Sequence, residues 1–131
     1  MVRIFVVDDS AMIRSCLRSV LEKRDGWVVV GEAEDGRGAL EKLNELSPQL
    51  VVMDFVMPKM NGLEASRQLM KQHLEAPILM VTVDPSQQLE QEARRVGVKG
   101  LVPKSDLHSL LNAIEALLQG QTYFDVKRMS A

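Results

Sequence analysis
Short runs of apolar residues alternate with stretches whose apolar residues recur at helical spacing, and the alternation repeats five times along 131 residues. The apolar runs fall at 2–7, 27–31, 50–53, 77–81 and 99–103. They carry little polar interruption, as strands covered on both faces must. Between them, Met12, Ile13, Cys16, Leu17, Val20 and Leu21 predict a helix over 11–24, capped by Asp9 or Ser10. Ala39, Leu40, Leu43 and Leu46 predict a second, closed before Pro48, and Leu63, Ala65, Leu69 and Met70 a third ending near His73. Asp84-Pro85-Ser86-Gln87 predicts a helix start with Asp84 as cap and Pro85 at the first helical position. That helix is apolar only at Leu89, Ala93 and Val96, which makes it the expected mobile element. The last helix, 107–118, is the most amphipathic, and Gly120 stops it.

Strands separated by helices pair in parallel, because each crossover returns the chain to start the next strand in the same direction. The expected architecture is an α/β, flavodoxin-like, doubly wound (βα)5 domain with a five-stranded parallel sheet in the order 2-1-3-4-5. It occupies 1–120, and 121–131 forms a C-terminal tail or the start of a linker. Such sheets bind ligands beyond the carboxyl ends of their strands. There the chain places Asp8 and Asp9, then Asp54, Thr82 and Lys104, with Asp54 expected to be exposed at its strand tip.

Composition narrows the partners. A net charge of -2 gives no general attraction to nucleic acid or to an anionic membrane. The single cysteine, Cys16, excludes an internal disulfide and a cysteine-rich metal site; with most of the methionines it is assigned to packing. Neither a signal peptide nor an apolar run of membrane-spanning length is present, so the cytoplasm is the expected address.

Taken singly, the acids at 8 and 9 fit a helix cap, Thr82 a strand-end hydroxyl and Lys104 a solvated end. Brought to one edge, three carboxylates repel, by about 4 kcal/mol for a pair at ~4 Å and an effective dielectric near 20. Lys104 or a hard divalent cation such as Mg2+ would offset them. A metal, a lysine, a hydroxyl and a spare carboxylate suit phosphoryl transfer, with the carboxylate attacking phosphorus to form an acyl phosphate. His73 and His108 are isolated, and Arg94, Arg95 and Lys99 fit a solvated basic face. Gly36-Arg37-Gly38 lacks the third glycine of a dinucleotide fingerprint.

Val-Asp-Asp-Ser at 7–10, Asp54 with Met57-Pro58-Lys59-Met60-Asn61-Gly62, Thr82, and Lys104 after Gly97-Val98-Lys99-Gly100 together resemble a response-regulator receiver domain, from Val2 to about Gln119. The resemblance implies two-component signalling: Asp54 as phosphoacceptor from a sensor histidine kinase, and Asp9 as Mg2+ ligand supported by Asp8. It further implies a metal-binding carbonyl from Val56, Thr82 as switch hydroxyl and Lys104 as fixed cation. It implies a phosphoacceptor and not a turnover enzyme, with a homodimer forming on phosphorylation.

Departures from the family pattern carry their own expectations. The switch position three residues before Lys104 is usually aromatic and here is Leu101, which implies coupling to the output face that is weaker or runs through the thin helix from Ser86 to Val96. Val83 replaces a very small residue after Thr82 and is expected to slow exchange with phosphodonors and phosphatases. Ser105 replaces a frequent proline, so no cis peptide is expected there. Lys104 followed by a polar residue, and Gln-Gly-Gln-Thr-Tyr-Phe at 119–124, resemble NarL/LuxR-type receivers, which usually continue into a DNA-binding helix-turn-helix. The chain stops at Ala131, so it is either cut from such a transcription regulator, the favoured expectation, or a stand-alone receiver or phosphorelay module. An aspartyl phosphatase is a lesser alternative, since Val56 stands where a general acid would be needed. A pseudo-receiver with a silent site is a third.

Overall fold
Strand and helix alternate in the computed structural model, which describes residues 1–124, as the apolar pattern requires; the remainder of the predicted tail, 125–131, lies outside the described residues. The order is β1 (Val2–Val7), α1 (Ala11–Leu21), β2 (Trp27–Ala33), α2 (Gly36–Leu46), β3 (Leu50–Asp54), α3 (Gly62–Lys71), β4 (Ile78–Thr82), α4 (Gln87–Val96), β5 (Gly100–Pro103), α5 (Leu107–Leu118) and β6 (Tyr123–Phe124). Every strand pair is parallel, in the order β2-β1-β3-β4-β5-β6.

The sheet therefore has six strands where five were expected. Tyr123 and Phe124 pair with Gly100 and Leu101, and the Tyr123 N–H donates to the Lys99 carbonyl at 3.0 Å. The physical reason is the bare edge of β5: unpaired backbone groups there recruit the next extended residues, and two aromatic side chains cover the apolar faces beside them. Two residues are too short a run to show a strand period in sequence.

Side-chain alternation sorts the strands into two cores. Phe5, Val7, Val51, Met53, Ile78, Met80 and Leu101 face α2, α3 and α4, where Leu43, Leu69 and Ala93 meet them. Ile4, Val6, Leu50, Val52, Leu79, Val81 and Val102 face the other way, against Leu21 of α1 and Leu110, Ile114 and Leu117 of α5. Strands so sandwiched bury large apolar side chains on both faces, worth about 1.5–3 kcal/mol apiece in transfer terms.

Each helix begins on a side-chain cap. Ser10 accepts from the Ile13 N–H, Asp35 from Gly38, Asn61 from Glu64, Ser86 from Leu89 and Asp106 from Ser109. Such caps contribute about 1 kcal/mol each. For α4 this corrects the expected start: Ser86, not Asp84, is the cap, and Pro85 lies outside the helix. The Asp84 N–H donates to the Thr82 hydroxyl at 3.4 Å. Helix α1 ends at Leu21, short of Arg24, and β2 runs on to Ala33. Cys16 and Met12 are exposed and do not pack in the core; they lie on the part of α1 that the sheet leaves uncovered. No cis peptide occurs among the described residues.

Gly62 opens α3 hard against the end of β3. A Cβ there would lie 2.5 Å from the Asp54 carbonyl oxygen and 2.9 Å from the Phe55 Cα, both backbone atoms that cannot swing aside. Gly62→Ala is expected to cost about 2 kcal/mol or more through forced backbone movement, read as a lower urea midpoint. No helix among the described residues is long and apolar enough to cross a membrane.

Candidate functional site
Parallel pairing brings the carboxyl ends of β1, β3, β4 and β5 to one edge, and with them Asp8, Asp54, Thr82 and Lys104. Asp54 is the last residue of β3, in register with Val81 of β4. It is buried, 2% exposed, which corrects the expectation of an exposed acid. The strand runs one residue further than its apolar run, and neighbours cover the carboxylate. Lys104 Nζ donates to Asp54 Oδ2 at 3.1 Å and the Val56 N–H donates to Oδ1 at 3.4 Å.

Asp8 follows β1 and is fully buried. Its Oδ1 accepts from the Ser10 N–H at 2.9 Å, and its Oδ2 lies 2.8 Å from Lys104 Nζ. That second contact is a salt bridge between the ammonium and a fully buried carboxylate. Asp9 is exposed, and carboxylate oxygens of Asp8, Asp9 and Asp54 lie within 4.8 Å of one another. Three carboxylates against one ammonium leave an excess of negative charge at the strand tips.

The titration of the two central groups follows from this packing. Burial raises the Asp54 carboxyl above its ordinary range, helped by the Asp8 charge and opposed by Lys104 and the Val56 N–H. Burial alone would lower the Lys104 ammonium, but its contacts with Asp8 and Asp54 outweigh that and raise it. Lys104 therefore stays charged throughout the neutral range.

Thr82 ends β4, 2% exposed; its hydroxyl accepts from the Asp84 N–H at 3.4 Å and its carbonyl from the Lys104 N–H at 2.7 Å. Its hydroxyl sits beside the acid–lysine network, and its one hydrogen bond among the described residues is from Asp84. Val56 and Val83 are 64% and 79% exposed, on the loops after β3 and β4. Leu101 is not at the site. It is fully buried in mid-strand, between Met80 and Phe124 in register. An aromatic ring does stand beside it, supplied by β6: Phe124 packs on that core and carries the Arg94 guanidinium of α4 4.0 Å from its ring centre.

Sequence reasoning missed Arg14 and Glu32. Arg14 donates to the Asp8 carbonyl at 2.5 Å and to Glu32 at 3.0 Å. An arginine on the polar side of a helix and a glutamate past the apolar part of a strand give no hint of each other until the fold pairs them.

The fold and the site define a class: parallel α/β modules with a lysine-bridged acid cluster at the strand tips. The chain belongs to the response regulator receiver domain family, which matches residues 4–115. It is 36% identical over 124 residues to the response regulator GacA of Pseudomonas protegens, covering 94% of this chain and 58% of that protein. It is 39% identical over 102 residues to the chemotaxis protein CheY of Thermotoga maritima, covering 78% of this chain and 84% of that one. Among solved structures it is similar to a LuxR-family response regulator from Aurantimonas sp. SI85-9A1, with TM-score 0.88, 36% identity and 92% and 87% of the two chains covered. The NarL/LuxR resemblance stands on that likeness, and the chain spans little more than half the length of GacA.

Proposed function
We propose that Asp54 accepts a phosphoryl group from the phosphohistidine of a sensor histidine kinase. The observation that carries this is the buried Asp54 carboxylate, tied to Lys104 at 3.1 Å and flanked by Asp8 and Asp9. An Asp54 carboxylate oxygen attacks phosphorus, the phosphorus–nitrogen bond breaks, and the imidazole leaves with that electron pair.

The donor set fits a hard divalent cation: three carboxylates offer oxygens within 4.8 Å of one another, in excess over the one ammonium that touches them. Asp8, Asp9, Asp54 and the Val56 carbonyl would hold Mg2+. When bound, Mg2+ screens the carboxylates and the oxygens of the transferring group. Lys104 neutralises the new negative charge, and Thr82 exchanges its bond from Asp84 for one to the phosphoryl group. Because these groups bind the modified state better, they shift an existing equilibrium and alter the contacts of α4, β5 and α5. Four large apolar side chains are exposed on the elements and loops that follow the strand tips: Met12 at 75%, Val56 at 64%, Val83 at 79% and Leu107 at 46%. An apolar rim of this kind suits a protein partner that must dock before it can transfer. Likeness to relatives named as transcription regulators favours transcription control through a DNA-binding domain outside this chain, and the reading extends to dimerisation on phosphorylation.

Intact-mass measurement after treatment with a small phosphodonor tests the reading. One phosphoryl group is expected, requiring Mg2+ and released by hydroxylamine as acyl phosphates are. Hydrolysis of many equivalents of a phosphate ester would instead make the chain a phosphatase. Val83→Ala is expected to speed labelling roughly threefold, a barrier change below ~1 kcal/mol, by opening access to Asp54. An unchanged labelling rate would remove Val83 from any gating role.

A further inference from the structure
A second cation stands at the acid cluster, and the phosphoryl-transfer reading leaves it unused. Arg14 is the fourth residue of α1, and helical side chains lean toward the N-terminus, here the end that carries Asp8, Asp9 and Ser10. Its guanidinium reaches the strand tip and donates to the Asp8 backbone carbonyl at 2.5 Å, with only 16% of the side chain exposed. Left to itself, a guanidinium beside carboxylates in charge excess would fork onto one of them, a geometry it matches well. It does not do so. Its Nε is taken by Glu32 Oε1 at 3.0 Å, and what it offers the tip meets an uncharged carbonyl.

Glu32 is itself fixed. Arg18 donates through Nε and a terminal nitrogen to Glu32 Oε2 at 2.9 and 2.7 Å, and spends its other terminal nitrogen on the Val29 carbonyl. One glutamate at the end of β2 thus takes one oxygen to each arginine of α1. Burial works against its charge, but the two guanidiniums outweigh that and hold its carboxyl below the ordinary range.

We infer that Glu32 is a positioning residue that holds Arg14 on the Asp8 carbonyl and off the carboxylates of Asp8, Asp9 and Asp54, keeping the cluster free for a divalent cation. The inference rests on the reading of those acids as cation ligands. Glu32→Gln removes the charge that retains Arg14, which then competes with the cation as a tethered counter-ion. Two double variants separate competition from a change in net charge. Arg14→Gln with Glu32→Gln and Arg18→Gln with Glu32→Gln carry the same charge as the wild type, but only the first removes the competitor.

Calorimetric titration of MgCl2 into the chain at fixed ionic strength tests this, with urea unfolding to confirm that each variant folds. Glu32→Gln is expected to bind Mg2+ roughly fivefold more weakly or worse. The Arg14→Gln double variant should return to within roughly twofold of the wild type, and the Arg18→Gln double variant should stay weak. Unchanged affinity in Glu32→Gln, or equal restoration in both double variants, overturns the inference and leaves the site reading intact. A glutamate with a merely structural role would lower the unfolding midpoint without selective restoration of affinity, and that too overturns it. A wild-type chain that binds no Mg2+ overturns the inference together with the reading beneath it.

Discussion
Asp54→Asn is expected to remove phosphoryl labelling entirely and, in the same protein, to stabilise the fold at neutral pH. Loss of labelling follows because the amide is no nucleophile toward phosphorus, while Asp8 and Asp9 have other tasks: Asp8 is fully buried beside Lys104, and Asp9 stands exposed outside the Lys104 contacts. Equal labelling of variant and wild type would sink the assignment of Asp54.

The gain in stability follows from titration. Burial and the Asp8 charge raise the Asp54 carboxyl in the folded chain above its unfolded value, which lies near ~3.9. A carboxyl so raised holds its proton more tightly when folded, so its favourable contribution is complete below the unfolded value and is lost as pH rises through the folded one. Above that window the wild type bears a charge the fold disfavours, and the asparagine does not. The variant should be more stable by about 1 kcal/mol near neutrality, or about 3–5 °C in Tm, with the gap closing in acid. Urea midpoints measured across pH without divalent cation read the effect. A variant less stable than the wild type at neutral pH would show that the bond from Lys104 outweighs the repulsion from Asp8.

Much of this site is legible in sequence because its parts are strand tips, and apolar runs locate strand tips well. Asp8, Asp54 and Thr82 each follow a run of apolar residues and Lys104 follows Leu101-Val102-Pro103, and parallel pairing then gathers them whatever the helices do. What escaped depends on tertiary partners. The burial of Asp54 depends on tertiary partners such as Val81 of β4 beside it and Lys104, fifty positions away in the chain. Strand β6 exists only because β5 is a free edge, so its two residues have no signature of their own. The same strand changes the meaning of Leu101: a missing aromatic in sequence becomes, in space, a leucine in register with Phe124. Asp84 and Ser86 are both good caps by type, and only the folded chain shows that Ser86 Oγ takes the Leu89 N–H.

Lys104→Met is expected to be the most destabilising change at the site, and the loss should depend on Asp54. The ammonium lies 2.8 Å from Asp8 and 3.1 Å from Asp54, two carboxylates that are almost wholly buried. Removing it leaves both charges facing one another with no cation between them. Breaking a fully buried pair costs about 3–5 kcal/mol; here the lysine side chain is 22% exposed, and water reaching it reduces the loss to about 2 kcal/mol. The sign with pH is the same as for Asp54, but the window lies far into the alkaline range. The ammonium is raised in the folded chain, so its contribution is complete below the unfolded lysine value near ~10.4 and is lost only as pH rises through the folded one. The cost of the substitution should therefore be full at neutrality. Two further outcomes tie that cost to the charges and not to lost packing. Mg2+ should restore part of the stability of Lys104→Met, because a cation can take the place the ammonium left. Asp54→Asn added to Lys104→Met should recover about 1 kcal/mol more than it gives in the wild type, since the repulsion it relieves is then unscreened. Unfolding of the two single variants and the double measures this coupling. Strict additivity would mean that Lys104 and Asp54, though 3.1 Å apart, do not act as one electrostatic unit, and the claim that this lysine answers to the charge on Asp54 would fall with it.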